Sequence, residues 1–118
     1  VRPDLVVEDA SHLWAHQLLS LFYLLPALNP GGVYIWEDLH VSKPALAGRH
    51  GLGLPGSPVD FLEALVREVI LYRRARRPLD VSYDDARPAI EQVMVSSLAT
   101  LIDRITVVGE AAILTRNE

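Results

Sequence analysis

The chain has 118 residues, half of them apolar, and a net charge of −4. That length fits one modest domain with a real core, and the acidic balance argues against a nucleic-acid partner, whose phosphates call for a basic face. The absence of cysteine excludes disulfides, thiolate zinc sites and cysteine nucleophiles.

At the N-terminus, acids at Glu8 and Asp9 interrupt what would be the apolar segment of a signal peptide. No apolar run approaches the ~20 residues of a membrane span, so a cytoplasmic protein without membrane partners is expected. Entry into a core strand within four residues of Val1 suggests a piece of a longer protein. Leu5–Val7 reads as a strand buried on both faces, as in a parallel sheet. Ser11 is placed to cap a helix. Leu13, Trp14, Gln17, Leu18, Leu21, Phe22, Leu25 and Leu28 recur at helical spacing, which predicts an amphipathic helix over 12–28. Pro30-Gly31-Gly32 turns the chain into a second buried strand, Val33–Trp36. Strand, helix and strand in this order make a βαβ unit with parallel neighbours and a right-handed crossover.

Residues 41–58 are rich in Gly and Pro and read as a long loop, either a lid or binding loop or a disordered one. A helix follows over 60–77, with Phe61, Leu62, Leu65, Val66, Val69 and Ile70 on its apolar face. It ends in the basic run 73–77, which suits a helix C-terminus. A polar connection over 78–88 leads to a further helix marked by Ile90, Val93, Met94, Leu98 and Leu101. The final segment from Arg104 to Arg116 predicts two strands joined by a tight turn at Gly109-Glu110. The expected class is α/β: part of a Rossmann-like doubly wound sheet, with parallel strands finished by an antiparallel hairpin.

Both apolar runs end in an acidic pair, Glu8-Asp9 and Glu37-Asp38. On adjacent parallel strands the two pairs share the carboxyl edge of the sheet, where open α/β sheets bind ligands. Carboxylates crowded there repel unless some are protonated or a cation sits among them. All-oxygen donors favour Mg²⁺, Mn²⁺ or Ca²⁺ over zinc. Helix capping or plain solvation of strand ends is the competing reading for either pair alone. His12, beside this edge, is the candidate general base. His12 and His16 stand four residues apart and could share a helix face, but no H-E-x-x-H pattern accompanies them; His16 reads as a surface residue. His40 and His50 line a pocket or are simply exposed. Trp14 and Trp36 read as packing residues. Gly51-x-Gly53 lacks the flanking strand and helix of a dinucleotide fingerprint.

The stretches Glu8-Asp9-Ala10-Ser11-His12 and Pro30-Gly31-Gly32-Val33-Tyr34-Ile35-Trp36-Glu37-Asp38-Leu39 resemble motifs of the metal-dependent O-methyltransferases of the macrocin and mycinamicin group, with their cephalosporin-hydroxylase-like relatives. The closing segment is similar to that family's last two strands. The resemblance implies the C-terminal half of a class I S-adenosylmethionine-dependent methyltransferase. It further implies Asp9, Glu37 and Asp38 as ligands of Mg²⁺ or Mn²⁺, His12 as catalytic base, a small-molecule natural-product acceptor, and a homo-oligomer. Glu8 and Ala10 depart from the usual Asp and Gly. Neither a glycine-rich first turn nor an acidic second-strand end is present, so most of the S-adenosylmethionine site is expected on a missing N-terminal half, and this chain alone is expected to be inactive. The alternatives are a non-catalytic Rossmann-like remnant or oligomerisation module and, more weakly, a metal-dependent hydrolase using His12, His16 and Asp38.

Overall fold

The computed structural model describes residues 1–75 and 89–118. The sheet has four strands: β1 (Leu5–Glu8), β2 (Val33–Trp36), β3 (Ile102–Val108) and β4 (Ala111–Arg116), in the order β1-β2-β4-β3. β1 and β2 are parallel, while β4 runs antiparallel to both β2 and β3. The expected βαβ unit and C-terminal hairpin are therefore both present. Helices α1 (Trp14–Leu24), α2 (Pro58–Ala75) and α3 (Ala89–Ala99) complete the fold. No helix among the described residues is long and apolar enough to cross a membrane.

Period-two alternation divides the sheet into two unlike faces. Tyr34, Trp36, Ala112 and Leu114 point to one side and are fully buried against Leu21, Leu25, Phe61, Leu65 and Leu98. On the other side Leu5 and Val7 are 55% and 50% exposed. The expectation that β1 is buried on both faces thus fails among the described residues: its apolar run is that of a parallel strand, but the described helices pack on one face.

Helix α1 buries Trp14, Gln17, Leu18 and Leu21, and the chain beyond it buries Leu25 and Leu28, much as the spacing predicts. Its start differs: Leu13 is the cap residue, without a side-chain cap. The Ser11 hydroxyl lies 2.6 Å from His16 Nδ1 and 3.4 Å from the Leu13 N–H, so it braces the first turn without capping it. On α2, Ile70 is exposed. The buried stripe of α3 is Val95, Leu98 and Ala99, with Met94 partly buried against the core, while Ile90 and Val93 face outward. The basic run ending α2 and the 78–88 connection lie outside the described residues, apart from backbone through Ala75.

The Gly/Pro-rich segment is compactly wound. Leu39–Ser42 and Pro44–Leu46 are 3-10 turns, and Ala47–Gly51 is a π turn. Trp14 anchors it, its indole N–H donating to the Val41 carbonyl at 2.8 Å. A Cβ at Gly51 would stand 2.8 Å from the Trp14 ring, so only glycine allows this approach.

Candidate metal centre at the carboxyl edge of the sheet

Parallel pairing sets Glu8 opposite Trp36, and the Glu37 N–H donates to the Glu8 carbonyl at 3.1 Å. The two strands therefore end level, and their acidic pairs leave the sheet side by side. Alternation then separates the first pair. Glu8 turns inward, is 4% exposed, and accepts a hydrogen bond from the Ala10 N–H at 3.2 Å. Asp9 goes to the open rim. At the second strand end Asp38 adopts a left-handed backbone, φ +56°, which Asp tolerates better than most residues. This turn breaks the alternation and lets Glu37 and Asp38 serve the same edge.

Ligand oxygens of Asp9, Glu37 and Asp38 all lie within 4.8 Å of one another. The expected crowd of four carboxylates is thus a group of three, with Glu8 withdrawn into the core. Among the described residues no other set of His, Asp or Glu side chains gathers in this way. The group fits a hard cation: opposed oxygens on Mg²⁺ stand about 4 Å apart and on Ca²⁺ about 5 Å apart. Electrostatics agree. The Asp9 carboxyl is held above its ordinary range, chiefly by a hydrogen bond to the Asp38 carboxyl and by that group's negative charge, with His12 opposing. Two carboxylates in such contact share a proton unless a cation replaces it. Glu8 is also raised, first by burial and then by Asp9 and Asp38, against the Ala10 hydrogen bond and His12. Tyr34, buried and facing the charge of Glu8, is raised too.

His12 stands at the rim with Nδ1 3.5 Å from Asp38 Oδ2. It precedes α1, so His12 and His16 do not share a helix face; His16 is exposed and engaged with Ser11. The trio His12, His16 and Asp38 of the hydrolase reading is not assembled. His40 is half-buried, with Nδ1 between Glu110 and Asp38. The π turn brings the His50 ring edge-on to His12 with centroids 6.3 Å apart. Sequence reasoning gives no site role to Gln17, which is 1% exposed and points its amide toward the Glu37 carbonyl, 3.5 Å away. A polar residue on the apolar stripe of α1 is the signal that could have found it. For Glu110 there is none, because only the folded hairpin delivers it to His40.

No family model matches the chain. Over 64 residues, 53% of this chain, it is 44% identical to the 8-demethyl-8-alpha-L-rhamnosyl tetracenomycin-C 2'-O-methyltransferase of Streptomyces olivaceus. Over 69 residues it is 36% identical to the demethylmacrocin O-methyltransferase of Streptomyces fradiae and 33% identical to the mycinamicin VI 2''-O-methyltransferase of Micromonospora griseorubida, each match covering 51% of this chain. The matched region spans only 17–18% of those relatives' lengths. Among solved structures, the MycE methyltransferase of the mycinamycin pathway in complex with Mg and SAH superposes with a TM-score of 0.64 at 21% identity, covering 97% of this chain and 25% of MycE. A second crystal form gives a TM-score of 0.66 at 22% identity, and MycE has also been solved with mycinamycin VI bound. The relatives of this chain are therefore macrocin- and mycinamicin-type O-methyltransferases, and it corresponds to a C-terminal part of them whose α/β fold it shares.

Proposed function

We propose that this chain is the metal- and acceptor-binding part of an S-adenosylmethionine-dependent O-methyltransferase, acting in the cytoplasm on a hydroxyl of a sugar or other small natural product. The observation that carries the reading is the convergence of Asp9, Glu37 and Asp38 within 4.8 Å, with His12 beside Asp38. Asp9, Glu37 and Asp38 would hold Mg²⁺ or Mn²⁺. When bound, the cation supplies a Lewis acid that eases loss of the acceptor's hydroxyl proton, and S-adenosylmethionine supplies the electrophilic methyl group. His12 directs Nδ1 toward Asp38 and keeps Nε2 for the acceptor. Asp38 orients the imidazole and favours the positive charge it gains on taking the hydroxyl proton. His50 borders the same space.

The cofactor's own residues are assigned to polypeptide beyond this chain, which spans less than a fifth of its curated relatives. The test is transfer of labelled methyl from S-adenosylmethionine to a glycosylated polyketide by a polypeptide joining this chain to such a cofactor segment. Product formation should require Mg²⁺ or Mn²⁺ and cease in chelator. Turnover that ignores the chelator would sink the proposal.

A further inference from the structure

We propose that the cleft between the first half of α2 and the tip of the β3–β4 hairpin holds the apolar aglycone of a glycosylated acceptor while its sugar stands at the acidic edge. This role rests on the reading of Asp9, Glu37 and Asp38 as a cation site, and extends it to the kind of acceptor. The cleft has a volume of about 530 Å³, within the range of roughly 300–1,000 Å³ usual for small-molecule sites. Its walls are Leu39, Val59, Leu62, Val66 and Val107. His40 and Glu110 also line it, and His40 Nδ1 lies 3.9 Å from Asp38 Oδ1. The cleft is thus a single side chain away from a proposed cation ligand.

The gap belongs to the fold. Val107 pairs with Ala112, which pairs in turn with Trp36, and side chains directly opposite across strands share a face. Val107 therefore lies on the face the helices cover, where Trp36 and Ala112 are fully buried, yet it is 65% exposed. The helical layer stops short of this corner and leaves an aliphatic surface open. Backbone hydrogen bonds hold the two walls in place. The Leu39 N–H donates to the Glu110 carbonyl at 2.9 Å, and the Val59 N–H donates to Ser42 Oγ at 3.1 Å. The remaining polar lining, Lys43 and Glu63, is of opposite charge and selects neither an anion nor a cation. Such a cleft recognises shape and apolar surface. A sugar hydroxyl meets the cation when its aglycone is seated within one sugar's length of the rim, and this cleft offers that seat.

The test compares naphthyl and methyl α-L-rhamnosides, which share a sugar and differ in the apolar group, by isothermal titration into the complete enzyme with Mg²⁺ present. The naphthyl glycoside should bind more tightly by about ten-fold or more, the scale of burying a few methylene equivalents. Val107→Trp fills the cleft and Val107→Asp puts a charge into it, so each should bring that ratio toward one. Both changes fall on an exposed position, and thermal unfolding checks that the variants are folded. In nuclear magnetic resonance, Mn²⁺ at the acidic edge should broaden the rhamnosyl signals more than the naphthyl ones. A ratio near one in the wild type overturns the proposal. So does a high ratio that survives in both folded variants, or stronger broadening of the naphthyl group. Asp38→Asn separates the two readings: if Mn²⁺ broadens the glycoside equally in that variant, the cation site falls, while the ratio still decides the cleft. If Asp38→Asn abolishes the broadening and the wild-type ratio is near one, only the present inference falls.

Discussion

Asp38→Asn is the sharpest perturbation of the acidic edge, because it removes charge while sparing shape. Asparagine tolerates the left-handed backbone at this position as well as aspartate does, so the turn into Leu39–Ser42 should survive. Two unit charges about 4 Å apart interact by about 1 kcal/mol in water and about 4 kcal/mol at the effective dielectric of a protein surface. The Asp38 side chain is 28% exposed, which places it between these limits, and because Mg²⁺ is divalent and a direct ligand stands nearer than about 4 Å, about 2–3 kcal/mol is a lower bound. That corresponds to Mg²⁺ binding weaker by at least roughly 30-fold, to be read by isothermal titration. A second signature has the opposite sign. Without metal, the neutral amide relieves the crowding against Asp9, so the metal-free variant should unfold no earlier than the metal-free wild type. Magnesium should then raise the midpoint of the wild type and leave the variant unmoved, since a ligand stabilises only the state that binds it. Wild-type affinity in Asp38→Asn, or a variant much less stable without metal, would refute the reasoning.

Other outcomes follow from the same geometry. His12→Gln should lower turnover in the complete enzyme by about 10²- to 10⁴-fold while leaving Mg²⁺ affinity within a factor of about two, which a titration and a rate assay on one preparation check. Asp9 binds its proton more tightly in the folded state than in the unfolded chain. Its contribution to stability is therefore present below the unfolded value and is lost as pH rises through the raised one. Acidifying the metal-free wild type from neutrality through the raised Asp9 titration should raise its unfolding midpoint relative to Asp9→Asn, and the Mg²⁺-induced increment should shrink over the same window. Gly51→Ala drives a methyl into the Trp14 ring and should cost about 1–3 kcal/mol, seen as a lower denaturation midpoint.

The acidic edge was legible because two apolar, partly β-branched runs stop abruptly at Glu8-Asp9 and Glu37-Asp38, and a short helical crossover between them leaves parallel pairing as the simple solution. Their oxygen-only donors then favour a hard cation over zinc. What could not be read was parity. Whether Glu8 or Asp9 turns inward depends on which face the helices cover, and the strand letters do not state it. The left-handed turn at Asp38 was equally hidden, since aspartate permits that backbone without requiring it. On α3 the helical spacing holds for Met94 and Leu98, which meet the core, but not for Ile90 and Val93, which face outward; packing against α2 buries Val95 and Ala99 instead. His40 meets Glu110 only because β4 inserts beside β2 and carries the hairpin tip to the acidic turn, a relation between distant segments with no local trace.

The open face of the sheet bears on how this site would work. A parallel pair such as β1 and β2 is ordinarily covered on both sides, yet Leu5 and Val7 are exposed on the face away from the helices. β1 is also the edge of the sheet, so its outer backbone groups have no strand partner among the described residues. An edge of this kind is a template for a further parallel strand, and an apolar face of this kind is a seat for further helices. Both features lie away from the helix-covered core. A strand added at that edge would bring its own carboxyl end beside Asp9, extending the same rim on which His12, Glu37 and Asp38 already stand. The cofactor-binding segment proposed above would thus dock without disturbing the proposed metal site. Cation affinity would then be a property of these residues, whereas methyl transfer would need the completed sheet.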